Sequence, residues 1–191
     1  MKDSNTLKHW ELVKSGPGPD LALFRVRYDW QRNPRSGHTV KATVLEAPDW
    51  VNVVALTPEG RLVVVEQFRF GSGEVTVEIP AGIVEEGEEH GKAAARELAE
   101  ETGYSSGSWE YLGWSAPNPA YLDNRCHHWL ARNAERTREP APEVGEDLRA
   151  DELSRDALRA EIAAGRFRHS LAFSALAHVF DLRELLGGKN T

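Results

Sequence analysis

The sequence contains a single cysteine, Cys126, among its 191 residues. It can therefore form no intramolecular disulfide and no cysteine-based metal cage, which is typical of a reducing compartment and predicts a cytoplasmic location. Long apolar runs are also missing. Stretches such as Leu62–Val65 are far shorter than the roughly 20 residues that cross a bilayer, and the first ten residues lack the apolar core of a signal peptide. We expect neither a membrane partner nor export by the common route.

Acidic residues outnumber basic residues, and the basic residues form no continuous run. The chain has 23 Lys and Arg against 30 Asp and Glu, a formal net charge of −7. Proteins that bind nucleic acid usually carry a basic face, so we expect no nucleic-acid partner. An acidic protein that handled a polyphosphate would need metal ions to offset the repulsion. With 40% hydrophobic residues and 16 Gly, the composition is that of an ordinary globular domain with a core of its own.

The first half of the chain has the pattern of antiparallel strands. Residues 1–45 alternate apolar stretches with the turn-rich pieces 15–20 and 33–37, so we expect a separate N-terminal β region. Thr57-Pro-Glu-Gly60 indicates a hairpin turn between two further strands. The expected strands are Leu21–Tyr28, Thr39–Leu45, Val51–Leu56, Arg61–Phe70 and Glu74–Ile79.

The second half mixes helices with strands. The segment Glu89–Thr102 is rich in helix-forming residues and ends before Gly103, the residue favoured just past a helix end. Strands are expected at Trp109–Trp114 and Arg125–Arg132, a polar loop at 133–147, and helices at Ser154–Ala164 and Ser170–Leu186. This order predicts an α/β fold, a mixed sheet with helices on its faces, in a second domain over 46–191.

Three carboxylates share one face of the helix predicted over 89–102. At about 100° per residue, Glu100 and Glu101 fall at about −60° and +40° from Glu97. We expect these acids to face outward while small residues pack on the sheet. Their repulsion is offset if Arg96 pairs with Glu100 or Glu88 and a divalent cation neutralises the rest. Oxygen ligands favour Mg²⁺ or Mn²⁺ over zinc. The alternative is a solvated, Glu-rich helix face.

The spacing of these residues resembles the signature of the Nudix hydrolases. From Gly82 to Gly103 the chain follows Gly-x5-Glu-x7-Arg-Glu-Leu-x-Glu-Glu-x-Gly. The resemblance implies a Nudix-type α/β/α sandwich with a mixed sheet, preceded by the antiparallel N-terminal region, and hydrolysis of a nucleoside diphosphate linked to another group. By position it implies that Glu97, Glu100, Glu101 and the carbonyl of Ala81 bind the metal, and that Glu88 and Arg96 form a structural ion pair. Tyr104 departs mildly from the bulky aliphatic residue usual at the last signature position.

Flanking residues are similar to one group of this family, the ADP-ribose pyrophosphatases and related nucleoside diphosphate sugar hydrolases. The shared features are Glu66-Gln-Phe-Arg69-Phe, then Glu78-Ile-Pro-Ala-Gly82, then Pro119, 16 residues past Gly103. The resemblance implies a small-molecule nucleotide-sugar substrate and a homodimer formed through 1–45, a segment with too few residues for a core of its own. Asn118–Arg125 departs from the group's pattern, so the sugar preference is open.

Two alternatives remain at this point. One is a non-catalytic Nudix-like sensor of a nucleotide sugar, although this chain keeps the signature carboxylates that such modules can lose. The other is a hydrolase of NADH, a dinucleoside polyphosphate or a deoxynucleoside triphosphate, since these enzymes share the signature.

Further residues are candidates for substrate binding and for the general base. Trp30 is the first candidate for stacking on a base and Trp50 the second. The planar fork of Arg69 suits a diphosphate. For activation of water we expect Glu146 first and Glu143 second, because carboxylates bound to metal are poor bases; Glu100 serves as base in some members of the family. His127 and His128 are adjacent on a strand, so they should point to opposite faces, one buried and one exposed.

Overall fold

The computed structural model describes residues 6–142 and 145–187. Twelve strands and four helices lie in this part of the chain. In chain order they are β1 Glu11–Asp20, β2 Arg25–Arg32, β3 Thr39–Glu46, β4 Trp50–Leu56, β5 Leu62–Arg69, β6 Glu74–Glu78, β7 Ala81–Ile83, α1 His90–Thr102, β8 Tyr104–Ser105, β9 Ser108–Ser115, β10 Cys126–Arg132, β11 Glu135–Arg136, β12 Leu148–Leu153, α2 Arg155–Ala163, α3 Ser170–Leu176 and α4 Leu182–Leu185. None of the helices described is long and apolar enough to cross a membrane.

The chain divides into two compact units. The first contains the chain up to Ala47 together with Ala116–Asn124, and the second contains Pro48–Ser115 and the chain from Arg125 onward. In the first unit β1, β2 and β3 form an antiparallel sheet with β2 in the middle. The segment 116–124 joins this unit, since Tyr121 accepts a hydrogen bond from the amide of Leu45 at 2.7 Å.

Two expectations for the first unit are wrong. The Gly- and Pro-rich residues 15–20 are not a turn but the second half of β1, which pairs with β2 through a register shift between Pro17 and Asp20. β1 is an edge strand, where proline is tolerated because half of the backbone groups need no partner. The turn lies instead at 21–24, closed by a hydrogen bond from the amide of Leu21 to the carbonyl of Phe24, and β2 begins only at Arg25.

The second unit is built on a mixed sheet. Its main order is β12-β5-β4-β10-β9, with β6 paired to β5 and β7 paired to β4. β4 and β10 are parallel, and their neighbours are antiparallel. The predicted hairpin turn is confirmed at Thr57–Gly60, where Gly60 has a φ of +73°.

Helices cover both faces of this sheet. One core packs α1 through Ala93, Ala94 and Leu98 against the sheet. The other core packs α2, α3 and α4 against the opposite face through residues such as Leu158 and Leu176. β4 and β5 are buried on both sides, which explains their nearly continuous apolar sequence. The predicted α/β fold with a mixed sheet and an antiparallel N-terminal region is confirmed.

The helices of the C-terminal part differ in one respect from expectation. α2 is capped by Ser154, whose hydroxyl accepts from the amide of Ala157, and is followed by Gly165 at a φ of +71°. The single helix predicted at Ser170–Leu186 is instead α3 and α4, because the chain turns after Leu176 and Asp181 caps a new helix by accepting from the amide of Arg183. The strand β12 lies where the sequence predicts no element.

Candidate active site

Helix α1 positions the acidic residues of the signature. It ends at Thr102, and Gly103 follows with a φ of +76°, its amide bound to the carbonyl of Ala99. The expectation that the acids all face outward is wrong for Glu101, which is 3% exposed and lies on the side of the helix that meets the sheet. The amide of Ala81 donates a hydrogen bond to its carboxylate at 3.0 Å. Strand β7 and helix α1 therefore fix this carboxylate between them.

Arg96 holds the remaining acids of the helix. Its guanidinium donates to both oxygens of Glu88 at 3.1 and 3.0 Å, to Glu97 at 2.8 Å and to Glu100 at 3.1 Å. These hydrogen bonds hold the pKa of Glu88 below its usual range and raise the pKa of Arg96. The residue thus reaches both partners proposed from the helical wheel and orients three carboxylates at once.

The carboxylates nearest the sheet are costly to ionise. Burial raises the pKa of Glu101 well above its usual value, and the negative charges of Glu97 and Glu146 raise it further. Burial also raises the pKa of Glu97 in spite of its bonds to Arg96, with Glu100 and Glu146 adding repulsion. A cation placed among these groups would reverse both shifts, since it favours the charged form.

Gly82 brings the backbone against this cluster. A Cβ atom on Gly82 would lie 2.1 Å from the carboxyl group of Glu97, which is far inside van der Waals contact. The signature glycine is therefore required for space and not for a turn. The sequence pattern marks this residue, but its contact with Glu97 is visible only in the structure.

Arg69 lies at the end of β5 in a pair with the buried Glu78. Its Nε and Nη2 donate to the two carboxylate oxygens of Glu78 at 2.9 and 2.7 Å, and Thr76 donates to the same carboxylate at 2.7 Å. Burial alone would raise the pKa of Glu78, but Arg69 and Thr76 outweigh it and hold the pKa below the usual range. The fork proposed for a diphosphate is thus occupied by a carboxylate, so a substrate oxygen would bind Nη1 or displace Glu78.

Glu146 lies in the loop before β12. Glu146 is within electrostatic range of Glu97, Glu101 and Arg69. Glu143, the other loop residue considered as a base, lies outside the described residues.

The aromatic candidates fall in different units. Trp50, at the start of β4, lines a cleft of about 550 Å³ together with Arg69 and Glu78. Trp30 lies on β2 in the first unit, where Lys14 and Lys41 stand over its ring at 4.8 and 5.3 Å. Phe70 and His169 also line the Trp50 cleft, and sequence reasoning missed both. Phe70 ends the motif Glu66–Phe70, but only Arg69 of that motif has an obvious binding chemistry, and His169 belongs to no motif.

The two adjacent histidines are both structural. They point to opposite faces, but the expectation that one is exposed is wrong, since His127 is 7% and His128 0% exposed. His127 stacks on His90 with ring centres 4.2 Å apart. His128 lies within hydrogen-bond distance of Asn52 and Ser115, at 2.7 and 2.8 Å.

The donor set suits a hard divalent cation. It consists of carboxylate oxygens, and the carboxylate of Glu101 is buried with little compensating positive charge. The backbone at position 82 lies beside these groups, and only a glycine there allows so close an approach. Mg²⁺ and Mn²⁺ prefer such oxygen ligands. Within 6–142 and 145–187, no group of three or more His, Cys, Asp or Glu side chains is arranged so that it could hold a metal ion. Glu97 and Glu100 are instead paired with Arg96.

Comparison with known proteins gives consistent matches. The family model for the NUDIX domain matches residues 48–171. A methanol dehydrogenase activator from Bacillus methanolicus is 35% identical over 156 residues, which cover 81% of this chain and 83% of that protein. A solved structure of an ADP compounds hydrolase superposes with a TM-score of 0.80 over 98% of this chain and 99% of the other, at 19% identity, and so supports the fold alone.

Two relatives are named ADP-ribose pyrophosphatase. The protein from Bacillus subtilis (strain 168) is 38% identical over 96 residues, and that from Mycobacterium tuberculosis (strain ATCC 25618 / H37Rv) is 34% identical over 111 residues. The alignments cover 50% and 58% of this chain and 52% and 53% of those proteins, so they span about half the length of each relative. With the signature residues gathered on α1 and the family model matching most of the second unit, the chain belongs to the Nudix family, as a Nudix pyrophosphohydrolase.

Proposed function

We propose that the protein hydrolyses the diphosphate bond of a nucleoside diphosphate sugar such as ADP-ribose, giving a nucleoside monophosphate and a sugar phosphate. The observation that carries the proposal is the carboxylate cluster of α1, in which the buried Glu101 lies beside Glu97 and within the field of Glu146. An acidic cluster of this kind can bind a diphosphate only through cations. The names of the two ADP-ribose pyrophosphatases among its relatives support this substrate class.

Glu97, Glu100, Glu101 and the carbonyl of Ala81 would hold the metal, Mg²⁺ or Mn²⁺. The ion supplies charge neutralisation of the diphosphate and a lowered pKa for water. Arg96 and Glu88 then act as the structural ion pair. Glu88 fixes the guanidinium through two hydrogen bonds of 3.1 and 3.0 Å, and the same guanidinium binds Glu97 and Glu100. Arg69 and Trp50 contact the substrate in the cleft they share. Trp30, in the first unit, remains a candidate for stacking on the base of the substrate.

Glu146 takes a proton from the attacking water. It is exposed, belongs to no helix or strand, and stands within the field of the buried Glu101 and the half-buried Glu97. A carboxylate bound to metal has a lowered proton affinity, so a separate loop acid is the better base. Glu143 and Glu100 are the alternatives.

The first unit forms a homodimer interface. Several large apolar side chains of its three-stranded sheet and adjoining turn are exposed by 40% or more: Leu12, Val13, Leu21, Leu23 and Val40. Exposed apolar patches on small sheets commonly mark contact surfaces. A cytoplasmic location, expected from the single cysteine, stays a prediction.

The test is a substrate panel with separated products. Purified protein is incubated with Mg²⁺ and ADP-ribose, GDP-mannose, UDP-glucose, NADH, diadenosine polyphosphates or deoxynucleoside triphosphates. Release of AMP and ribose 5-phosphate from ADP-ribose, lost on chelation of the metal, is the expected result. Cleavage of another compound alone would change the substrate, and no cleavage of any compound would favour the sensor. The outcome without cleavage is worth measuring because the relative from Bacillus methanolicus is named as an activator of another enzyme.

A further inference from the structure

A cleft of about 550 Å³ opens beside Arg69 in the second unit. Its walls include Trp50 from the start of β4, Phe70 just after β5, and Arg168 and His169 just before α3. The volume lies within the roughly 300–1,000 Å³ of typical small-molecule sites. None of these four residues belongs to the Nudix signature.

Two aromatic rings give the cleft flat apolar surfaces. Phe70 is 88% exposed, so its ring is open to solvent. Phe68 packs edge-on against it with ring centres 5.7 Å apart. The next residue, Gly71, has open space around it, because a Cβ there would meet no atom within 4 Å. The Phe70 ring is therefore supported on one side by Phe68 and open to solvent on the other, and it lines the same cleft as the partly buried Trp50.

The polar groups of the cleft are mostly cationic or neutral donors. Nδ1 of His169 lies 3.8 Å from the buried carboxylate of Glu78, whose charge is already matched by Arg69. Arg168 pairs with Glu74 at 3.0 Å near the opening. A ligand with a flat aromatic face and an anionic group fits this combination better than a neutral sugar, which offers neither.

The cleft and the carboxylate cluster meet along one stretch of chain, since Glu78 lines the cleft and the amide of Ala81, three residues later, donates to Glu101. Arg69 lines the cleft and also lies within the fields of Glu101 and Glu146. A nucleotide whose phosphates reach the carboxylates past Arg69 would therefore place its other end against Trp50.

We propose that this cleft binds the heterocyclic base of a nucleotide, stacked between Trp50 and Phe70, with His169 hydrogen-bonded to the edge of the base. The inference rests on the proposed function for the identity of the whole substrate, but not for the binding of the base. It assigns the nucleoside end of the substrate, and not the sugar phosphate end, to this cleft.

The test is calorimetric binding of AMP, without hydrolysis, to wild type, Trp50→Leu and Phe70→Ala. Loss of one stacked aromatic should raise the Kd for AMP about five- to a hundredfold. Trp50→Phe should recover most of the affinity, because it keeps an aromatic face. Trp114→Leu is the matched control, since Trp114 is 51% exposed on β9 and lies outside the cleft; its Kd for AMP should equal that of wild type.

His169→Gln should alter the preference among AMP, GMP, CMP and UMP while leaving the binding of ribose 5-phosphate unchanged.

Ribose 5-phosphate separates the two ends of the substrate. Its Kd should be the same in wild type, Trp50→Leu and Phe70→Ala. A large effect of these variants on ribose 5-phosphate, no effect on AMP, an equal effect of Trp114→Leu, or no AMP binding by wild type would overturn the proposal. If AMP binds through Trp50 but no diphosphate is cleaved, the proposed function fails while the base site stands. If ADP-ribose is cleaved with an unchanged KM in both cleft variants, the base site fails alone.

Discussion

At the scale of single residues, the site depends on carboxylates held where they are unfavourable. Glu101 is 3% exposed and its only hydrogen bond among the described residues comes from the amide of Ala81. A buried carboxylate normally has a paired cation, because burying a lone charge costs several kcal/mol. Perturbed carboxyl groups of this kind are typical of functional sites. The buried charge of Glu101, which has no paired cation among the described residues, is therefore the feature that would favour binding of a divalent metal.

Glu101→Gln should separate activity from stability. The amide keeps the shape of the side chain and can still accept the hydrogen bond from Ala81, while the charge that burial opposes is removed. We expect activity to fall by more than roughly a hundredfold, since even outer groups of metal sites cost 10–100-fold. The melting temperature without metal should equal or exceed that of wild type. Unchanged turnover would exclude Glu101 from the metal site, and marked unfolding would show that its charge is structural.

Glu146→Gln tests the general base. We expect kcat to fall by roughly two to four orders of magnitude, the usual range for general-base catalysis, with metal and substrate binding retained. Glu139→Gln is the control, because Glu139 lies in the same loop, is exposed and pairs only with Arg136 among the described residues; its kcat should be that of wild type. Wild-type rates in Glu146→Gln and in Glu143→Gln would assign the role to Glu100.

At the scale of elements, the arrangement of the second unit depends on two sets of close contacts. One joins β7 to α1, and the other joins β4, β9 and β10 to α3. One example is a chain of buried hydrogen bonds around His128. Ser174 donates to Ser115, and Asn52 donates to the carbonyl of Leu171. The amide oxygen of Asn52 therefore accepts from Nδ1 of His128, and Nε2 accepts from Ser115. Every polar group in this chain is satisfied only while His128 is neutral.

Gly82→Ala should inactivate the enzyme without unfolding it. The added Cβ would lie 2.1 Å from the carboxyl of Glu97, so this side chain must leave its position between β7 and Arg96. We expect a loss of activity comparable to that of a missing metal ligand and a far-ultraviolet circular dichroism spectrum like that of wild type. In Gly107→Ala the new Cβ meets nothing within 4 Å, and activity should be unchanged. Equal activities of the two variants would contradict the close contact.

His128 should make stability fall in mild acid. Burial, then the neighbouring His178 and His127, lowers its pKa to about 4, whereas an unfolded histidine titrates near 6.5. Between these values the unfolded chain takes up a proton and the folded chain does not. Stability is thus lost as the pH falls, by about 2 kcal/mol between pH 7 and pH 5. The lowered pKa values of His90 and His169 act in the same direction, whereas the raised pKa values of Glu97 and Glu101 act against it.

Urea unfolding of wild type and His128→Gln at pH 7 and pH 5 measures this contribution. The variant should show a smaller difference between the two pH values than wild type, whatever its own stability. An identical pH dependence in both proteins would show that His128 is already protonated in the fold at pH 5.

At the scale of the whole molecule, the two units have different kinds of surface. The second unit has cores on both faces of its sheet. Neither of these cores includes a residue of β1, β2 or β3, and this three-stranded sheet exposes a group of large apolar side chains. A small sheet that exposes this many apolar side chains is marginally stable alone, which is the physical reason to expect a partner.

Light scattering should give a mass of twice 21.3 kDa for the purified protein. Leu12→Asp in β1 should shift the mass toward the monomer, because it places a charge in the exposed apolar group. Val75→Asp is the control, since Val75 is similarly exposed at 58% but belongs to the second unit. A monomeric wild type, or dissociation by Val75→Asp alone, would contradict an interface through the first unit.

The sequence alone determined the parts that depend on local pattern and spacing. Apolar alternation, turn residues and the helix end at Gly103 predicted most strands and α1, and the signature spacing placed Arg96, Glu97, Glu100 and Glu101 on neighbouring turns. These features depend on contacts between residues near in sequence, so they can be read from it. The pattern failed at 15–20, where an edge strand tolerates Gly and Pro, and after Leu176, where Asp181 starts a new helix.

Only the tertiary structure decided which side chains are buried and which meet across the fold. A helical wheel shows that Glu101 shares a face with Glu97, but not that β7 covers it, because the wheel does not contain the sheet. The same holds for Glu78, which neutralises Arg69, for the approach of Gly82 to Glu97, and for the meeting of Trp50, Phe70 and His169 in one cleft. These contacts join residues up to 119 positions apart, as for Trp50 and His169. Their energies depend on burial and distance, which exist only once the chain has folded.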